Sequence, residues 1–170
     1  MSDGKPQNPE PWLRGTLREV PAVPRAVLHA LELAKEDLWK WCFPLTDEQL
    51  NARPGGITPV AFHLRHIARS LDRLLTYAEG GALDEGQLAL LKTELAPDAK
   101  HGELFGELEN SLVHSEERVR KLAKSDFEAA RSVGKKKLPT TLGGLLVHVA
   151  DHTLRHVGQA ITTAKVVGKA

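Results

Sequence analysis

Apolar residues recur at every third or fourth position in four long stretches of this sequence, the pattern of helices that each bury one face. No stretch shows sustained alternation of apolar and polar residues, so we predict no sheet. The four stretches cover residues 23–41, 58–79, 102–124 and 140–166. Helices of this length suit an all-α fold, a four-helix bundle, and the connectors are long enough to permit a crossover connection.

Proline, glycine and capping residues mark the ends of these stretches. Thr58 is a candidate N-cap, followed by Pro59 at the first helical position, where a missing N–H costs little. Two shorter helical segments are predicted between the long ones, at residues 46–50 and within residues 83–95. The segment 125–139 contains three consecutive lysines and is predicted to be a solvated loop.

Composition excludes several classes of protein. The 23 Lys and Arg residues nearly balance the 22 Asp and Glu residues, so no basic field favours a nucleic-acid partner. One cysteine, Cys42, excludes an internal disulfide and is expected to be a buried thiol. No run approaches the roughly 20 apolar residues that span a bilayer, so no membrane partner is expected. We predict a cytoplasmic protein with a flexible, proline-bearing tail at 1–11 and one helical-bundle domain at 12–170.

Histidines are the residues that point to chemistry. His148, His152 and His156 are spaced four apart in the last stretch, so they form a row along one side of a helix. Two imidazoles at this spacing, with Cβ atoms about 5–6 Å apart, can ligate one metal ion. His152 and His156 continue the apolar stripe, where an unbonded imidazole pays a desolvation cost. Metal binding is therefore favoured over the simpler alternative, a set of hydrogen-bonded core histidines.

A third ligand has to come from another helix, and the second stretch offers His63 and His66. On a helical wheel centred on Ile67, His63 lies about 40° from the centre of the buried face and His66 about 100° away. The wheel therefore favours His63 as the inward residue, although a boundary position such as His66 can also face a bundle cavity.

Several familiar metal sites do not fit the sequence. No Glu-x-x-His occurs, which argues against a carboxylate-bridged di-iron bundle. The segment from His152 to His156 lacks the glutamate of a zinc peptidase, and one cysteine excludes a multi-thiolate zinc site within one chain. Three neutral nitrogens without an obvious fourth protein ligand are the open pattern typical of a catalytic metal site.

The sequence resembles the DinB/YfiT-like superfamily of metal-dependent enzymes over roughly residues 24–166. The resemblance rests on His66-Ile-Ala in the second stretch and on Asp151-His152-Thr-Leu-Arg-His156-Val-Gly-Gln159 in the fourth. It implies a four-helix bundle with a long crossover. It also implies one metal ion held by His66, His152 and His156, where the wheel preferred His63.

Three further residues are candidates for supporting roles around these ligands: His63, His148 and Gln159. The resemblance implies a divalent transition metal, nickel or zinc ahead of manganese or iron. Its members include transferases and isomerases that use low-molecular-weight thiols such as bacillithiol or mycothiol, and the bundles are often homodimers.

Two functions follow from this resemblance as expectations. The first is an enzyme in which the metal activates a thiol or water for group transfer or hydrolysis of a small-molecule substrate. The alternative is a non-catalytic, stress-related, dimeric bundle that binds metal or is purely structural. A fourth protein ligand would favour this alternative, whereas an open coordination position would favour the enzyme.

Overall fold

The computed structural model describes residues 9–168. Within this range the chain forms six α-helices, two short 3-10 turns and one β-hairpin. Residues 1–8 of the predicted tail lie outside the described residues, and Pro11 is buried at the start of the first 3-10 turn. The helices are α1 (Ala22–Trp41), α2 (Asp47–Asn51), α3 (Val60–Ala78), α4 (Glu85–Lys92), α5 (His101–Leu122) and α6 (Leu142–Val167).

The four long helices form the predicted bundle, which confirms the all-α fold. Helix α6 packs against α1 and α3, and α5 packs against the same two helices from the other side. The order around the bundle is therefore α1, α6, α3, α5. Helices α1 and α3 lie on one diagonal of the bundle, and α5 and α6 lie on the other. The chain therefore crosses the bundle between α1 and α3 and again between α5 and α6. The neighbouring positions of α3 and α6 bring the two histidine-bearing helices together.

The bundle core is built from the predicted apolar stripes. Leucines from all four long helices are fully buried and pack into one continuous cluster. They include Leu31 and Leu38 of α1, Leu64 and Leu71 of α3, Leu108 of α5 and Leu146 of α6. Within residues 9–168, no helix combines the length and apolar character that crossing a membrane requires.

The short helices begin with side-chain caps. Thr46 at the start of α2 and Asp84 at the start of α4 each accept a hydrogen bond from the backbone three residues on. In both helices the residue at that position is a glutamine, whose side-chain oxygen accepts a hydrogen bond from the backbone N–H of the cap residue. This reciprocal pair of bonds is a capping box. The prediction for α3 was wrong by one position, because Pro59 is the N-cap and Thr58 lies outside the helix.

A β-hairpin replaces part of the loop predicted at residues 125–139. Strands β1 (Ala130–Val133) and β2 (Leu138–Thr141) pair antiparallel, with Ala130 opposite Thr141. Each strand has only four residues, too few to establish an alternating pattern, and Pro139 lies inside β2. The expectation of no sheet was therefore wrong locally. The hairpin leads directly into α6, whose N-cap is Thr141.

Candidate metal centre

His66, His152 and His156 meet in the interface between α3 and α6. One nitrogen of each ring lies within 4.8 Å of the corresponding nitrogens of the other two, the only such group among residues 9–168. The ring centroids are 4.3–5.0 Å apart. The structure therefore brings together the three residues that the resemblance implied as ligands.

A buried carboxylate orients His66 from behind. Nδ1 of His66 lies 2.7 Å from Oε2 of Glu94, and Arg73 donates from Nη1 to Oε1 of the same carboxylate at 2.8 Å. Since a carboxylate only accepts, Nδ1 carries the proton of this hydrogen bond, which leaves Nε2 of His66 as the nitrogen available to a metal ion. Carboxylate, imidazole and metal in this order are a recurrent arrangement in metalloproteins.

Glu94 remains charged despite being only 5% exposed. Burial alone would raise the pKa of Glu94, but the hydrogen bonds from His66 and Arg73 hold that pKa below its usual value. The carboxylate is thus an anion with two fixed partners, one of them a histidine of the three-histidine group.

Sequence reasoning missed Glu94. It lies two residues beyond the end of α4, in a segment that packs on α3, and it is 28 positions from His66 in the chain. The only local signal is a glutamate between apolar neighbours, Leu91, Leu95 and Ala96. Such a residue is usually solvated, so the pattern could not identify its partner.

His63 lies beside His156 rather than in the three-histidine group. Nδ1 of His63 is 3.1 Å from Nδ1 of His156, so one of the two donates and the other accepts. His63 is only 4% exposed, which confirms that it points inward, as the wheel indicated. His66 nevertheless reaches the cluster from its boundary position. With Nδ1 of His156 used in this contact, its Nε2 is left for other bonding.

His63, His152 and His156 are neutral at neutral pH. Burial, reinforced by neighbouring imidazoles, lowers the pKa of His63, His152 and His156 to about 4 each. Neutral imidazole is the form that binds metal ions. Metal binding by His152 and His156 at neutral pH therefore carries no deprotonation cost.

The donor set fits a divalent transition metal. Nε2 of His66 faces Nε2 of His152 at 3.3 Å, while Nδ1 of His152 is buried with no hydrogen-bond partner among the described residues. Hydrogen bonding between the rings thus leaves the cluster incompletely satisfied. Three imidazole nitrogens without a thiolate suit ions such as zinc or nickel, and the carboxylate behind His66 completes the usual outer arrangement.

The other candidate residues lie at the margin of the site. His148 is exposed, with its ring centroid 5.4 Å from that of His152. Gln159 is exposed and lines a cavity of about 420 Å³ together with His63 and Arg155. Neither His148 nor Gln159 donates to, or accepts from, a histidine ring within residues 9–168.

Comparison with known protein families agrees with this architecture. The DinB superfamily model matches residues 30–160, a range that includes all three clustered histidines and Glu94. The chain therefore belongs to the DinB superfamily. A comparison with curated proteins finds no significant match.

Proposed function

We propose that the protein is a metal-dependent enzyme whose three-histidine site activates a thiol or water for group transfer or hydrolysis. The observation that carries the proposal is the convergence of one nitrogen each from His66, His152 and His156 within 4.8 Å. A bound divalent ion, with nickel or zinc the first candidates and manganese or iron next, supplies Lewis-acid chemistry that lowers the pKa of a thiol or water.

The number of ligands favours an enzyme over a structural site. Structural zinc sites are closed by four protein ligands, whereas catalytic sites have three and keep a position open. Among residues 9–168, no fourth histidine, cysteine, aspartate or glutamate joins the group of three. The chain's own contribution is to hold three imidazole nitrogens in place, with His66 fixed by Glu94.

Space for a small-molecule substrate exists next to the site. The cavity of about 420 Å³ is bordered by His63, which contacts His156, and by the polar side chains Arg155, Gln159 and Thr162. Its lining offers hydrogen-bonding groups but no thiol. A low-molecular-weight thiol, if used, comes from solution, because Cys42 is buried away from solvent.

The alternative is a bundle that binds metal without catalysis. The hydrogen bonds of Glu94 to Arg73 and His66 connect the segment after α4 to α3. The contact between His66 and His152 connects α3 to α6. A metal ion there would stabilise the fold whether or not it reacted. Metal binding without any thiol- or water-dependent turnover would favour this alternative.

The test is elemental analysis of protein purified without a metal-chelating tag. His66→Ala and His152→Ala are compared with His114→Ala, an exposed histidine whose Nδ1 contacts the backbone of its own helix. We expect about one transition-metal ion per chain, lost in the first two variants and retained in the control. The metal-loaded protein is then screened for thiol-transfer and hydrolysis activity. No bound metal, even after reconstitution with nickel, zinc and manganese, would overturn the proposal.

A further inference from the structure

A second cavity lies on the far side of the Arg73–Glu94 ion pair from His66. It encloses about 220 Å³ between α3, α4 and α5. The charged and hydroxyl side chains that line it and enter the argument are Arg69, Asp72, Arg73, Glu107, Ser115 and Arg118. The metal-site histidines do not line it, so it is separate from the site above.

Arg73 presents an unused edge to this cavity. The residue is only 8% exposed, and its single protein hydrogen bond runs from Nη1 to Glu94. Within residues 9–168, Nε and Nη2 have no partner, yet neither is among the fully buried unpartnered atoms. Both donors therefore retain some accessible surface, and Arg73 lines the cavity. A guanidinium edge with two parallel N–H groups matches a carboxylate.

The neighbouring arginines are already engaged. Arg69 donates from Nε and Nη2 to the two oxygens of Glu107. Arg118 donates to Asp72 and to both oxygens of Glu79. Arg73 is thus the arginine of this cavity that has donors to spare.

The charge balance selects the class of ligand. Three guanidinium groups, on Arg69, Arg73 and Arg118, face four carboxylates, on Asp72, Glu79, Glu94 and Glu107. No excess positive charge is therefore present to attract a simple anion. Asp72 and Glu107 each accept two side-chain hydrogen bonds and keep lone pairs that could accept more. Donors for a carboxylate and acceptors for an ammonium group thus face one cavity.

We propose that this cavity binds a small zwitterion, an α-amino acid or a molecule with the same two charged groups. Its carboxylate bonds the Nε and Nη2 edge of Arg73, and its ammonium group lies against Asp72 or Glu107. The buried hydroxyl of Ser115, which also lines the cavity and makes no hydrogen bond within residues 9–168, is available to either group. The inference does not depend on metal binding or on the proposed enzymatic activity.

The test is a titration of the full chain, stripped of metal by a chelator and followed through the arginine Nε–H signals in ¹H–¹⁵N spectra. The probes are L-alanine, propionate and ethylamine, and Arg73→Lys assigns the Arg73 signal. We expect a saturable shift of that signal with alanine, a weaker interaction with propionate and none with ethylamine. Absence of a saturable shift with alanine overturns the proposal. Equal binding of propionate or of ethylamine also overturns it, because the site would then not select a zwitterion.

Variants separate the site from general electrostatics. Arg73→Lys keeps the positive charge beside Glu94 but loses the paired donors, so alanine affinity should fall roughly tenfold or more. Isothermal titration calorimetry measures this affinity in every variant, because Arg73→Lys lacks the Arg73 signal. Arg131→Lys is the matched control and should bind alanine as the wild type does, because Arg131 donates to the backbone carbonyls of Ala78 and Ala130 and does not line the cavity. Ser115→Val narrows the cavity and should also lower alanine affinity. This variant replaces Arg73→Lys in the test if Arg73→Lys does not fold. Unchanged alanine affinity in folded Arg73→Lys or folded Ser115→Val would contradict the assignment.

Discussion

Nδ1 of His66 and Oε2 of Glu94 lie 2.7 Å apart in the interior of the protein, joining α3 to the segment that follows α4. The contact fixes both the ring orientation and the proton position of a histidine of the three-histidine group. Arg73, on the other side of the carboxylate, holds Glu94 in its charged form. A surface contact between a histidine and a glutamate would be far less restrictive, because water would compete for both groups.

Replacing Glu94 with glutamine should weaken metal binding while the three ligands stay in place. The amide keeps the shape and an acceptor oxygen, but it lacks the charge that makes His66 a stronger donor to a cation. Loss of such a partner typically costs about 10- to 100-fold in metal affinity. Competition against a chromophoric chelator at neutral pH measures the effect.

Glu109→Gln is the control for this substitution. Glu109 is a half-exposed glutamate that pairs with Lys35 and does not contact the histidines. Its loss should leave metal affinity unchanged. Thermal unfolding of both metal-free variants checks that each remains folded. Wild-type affinity in folded Glu94→Gln would show that the carboxylate does not tune the site.

His66→Ala and His63→Ala should differ in the number of metal ions that each chain binds. His66 is one of the three convergent rings, so its loss leaves two nitrogens and should abolish stable metal binding. His63 lies outside this group and supports His156 through the Nδ1–Nδ1 contact, so His63→Ala should still bind one ion per chain, with reduced affinity because His156 loses its partner. Metal titration followed by elemental analysis decides this. The reverse pattern would make His63 the ligand and His66 its support.

The long helices were predictable because their apolar stripes directly encode which faces are buried. Val60, Leu64, Ile67 and Leu71 of α3 are all fully buried, as their spacing indicated. The row from His152 to His156 was equally visible, because both lie on one helix at fixed spacing. The order of helices around the bundle was not predictable, since connector length permits several arrangements.

Choosing between His63 and His66 exceeded what an ideal wheel can resolve. His63 points inward, but a long side chain at the boundary, as in His66, reaches the same interface when the neighbouring helix also carries histidines. Glu94 was out of reach for another reason: its partner lies 28 positions away and depends on how the segment after α4 packs. The homodimer and the cytoplasmic location expected from the sequence remain predictions.

Cys42 should be unreactive in the folded protein. Its side chain is fully buried, and burial raises the pKa of the thiol to about 12. At pH 8 only roughly one molecule in ten thousand would carry the thiolate, which is the reactive form. We expect no labelling by a disulfide reagent under native conditions and one thiol per chain in concentrated guanidinium chloride. Rapid native labelling, absent in Cys42→Ser, would place the thiol at an accessible position.

Acid should destabilise the metal-free protein before its carboxylates titrate. In the folded state the pKa of His63, His152 and His156 is about 4, whereas the usual value is 6.5. As the pH falls below about 6.5, the unfolded chain takes up protons at these positions and the folded chain does not. The free energy of unfolding therefore decreases as the pH falls from about 6.5 towards 4.

Urea unfolding of chelator-treated protein at pH 7, 6 and 5 tests this sign. The window above pH 5 separates the histidines from Glu94, whose pKa lies below its ordinary value of 4.5, so that its stabilising contribution is lost only at lower pH. His156→Gln removes one titrating ring and should flatten the pH dependence, whereas the exposed His114→Gln should follow the wild type. If the free energy of unfolding instead stays constant or increases as the pH is lowered from 7 to 5, these histidines accept protons in the folded state. Neutral, metal-ready imidazoles would then be the wrong description of this site.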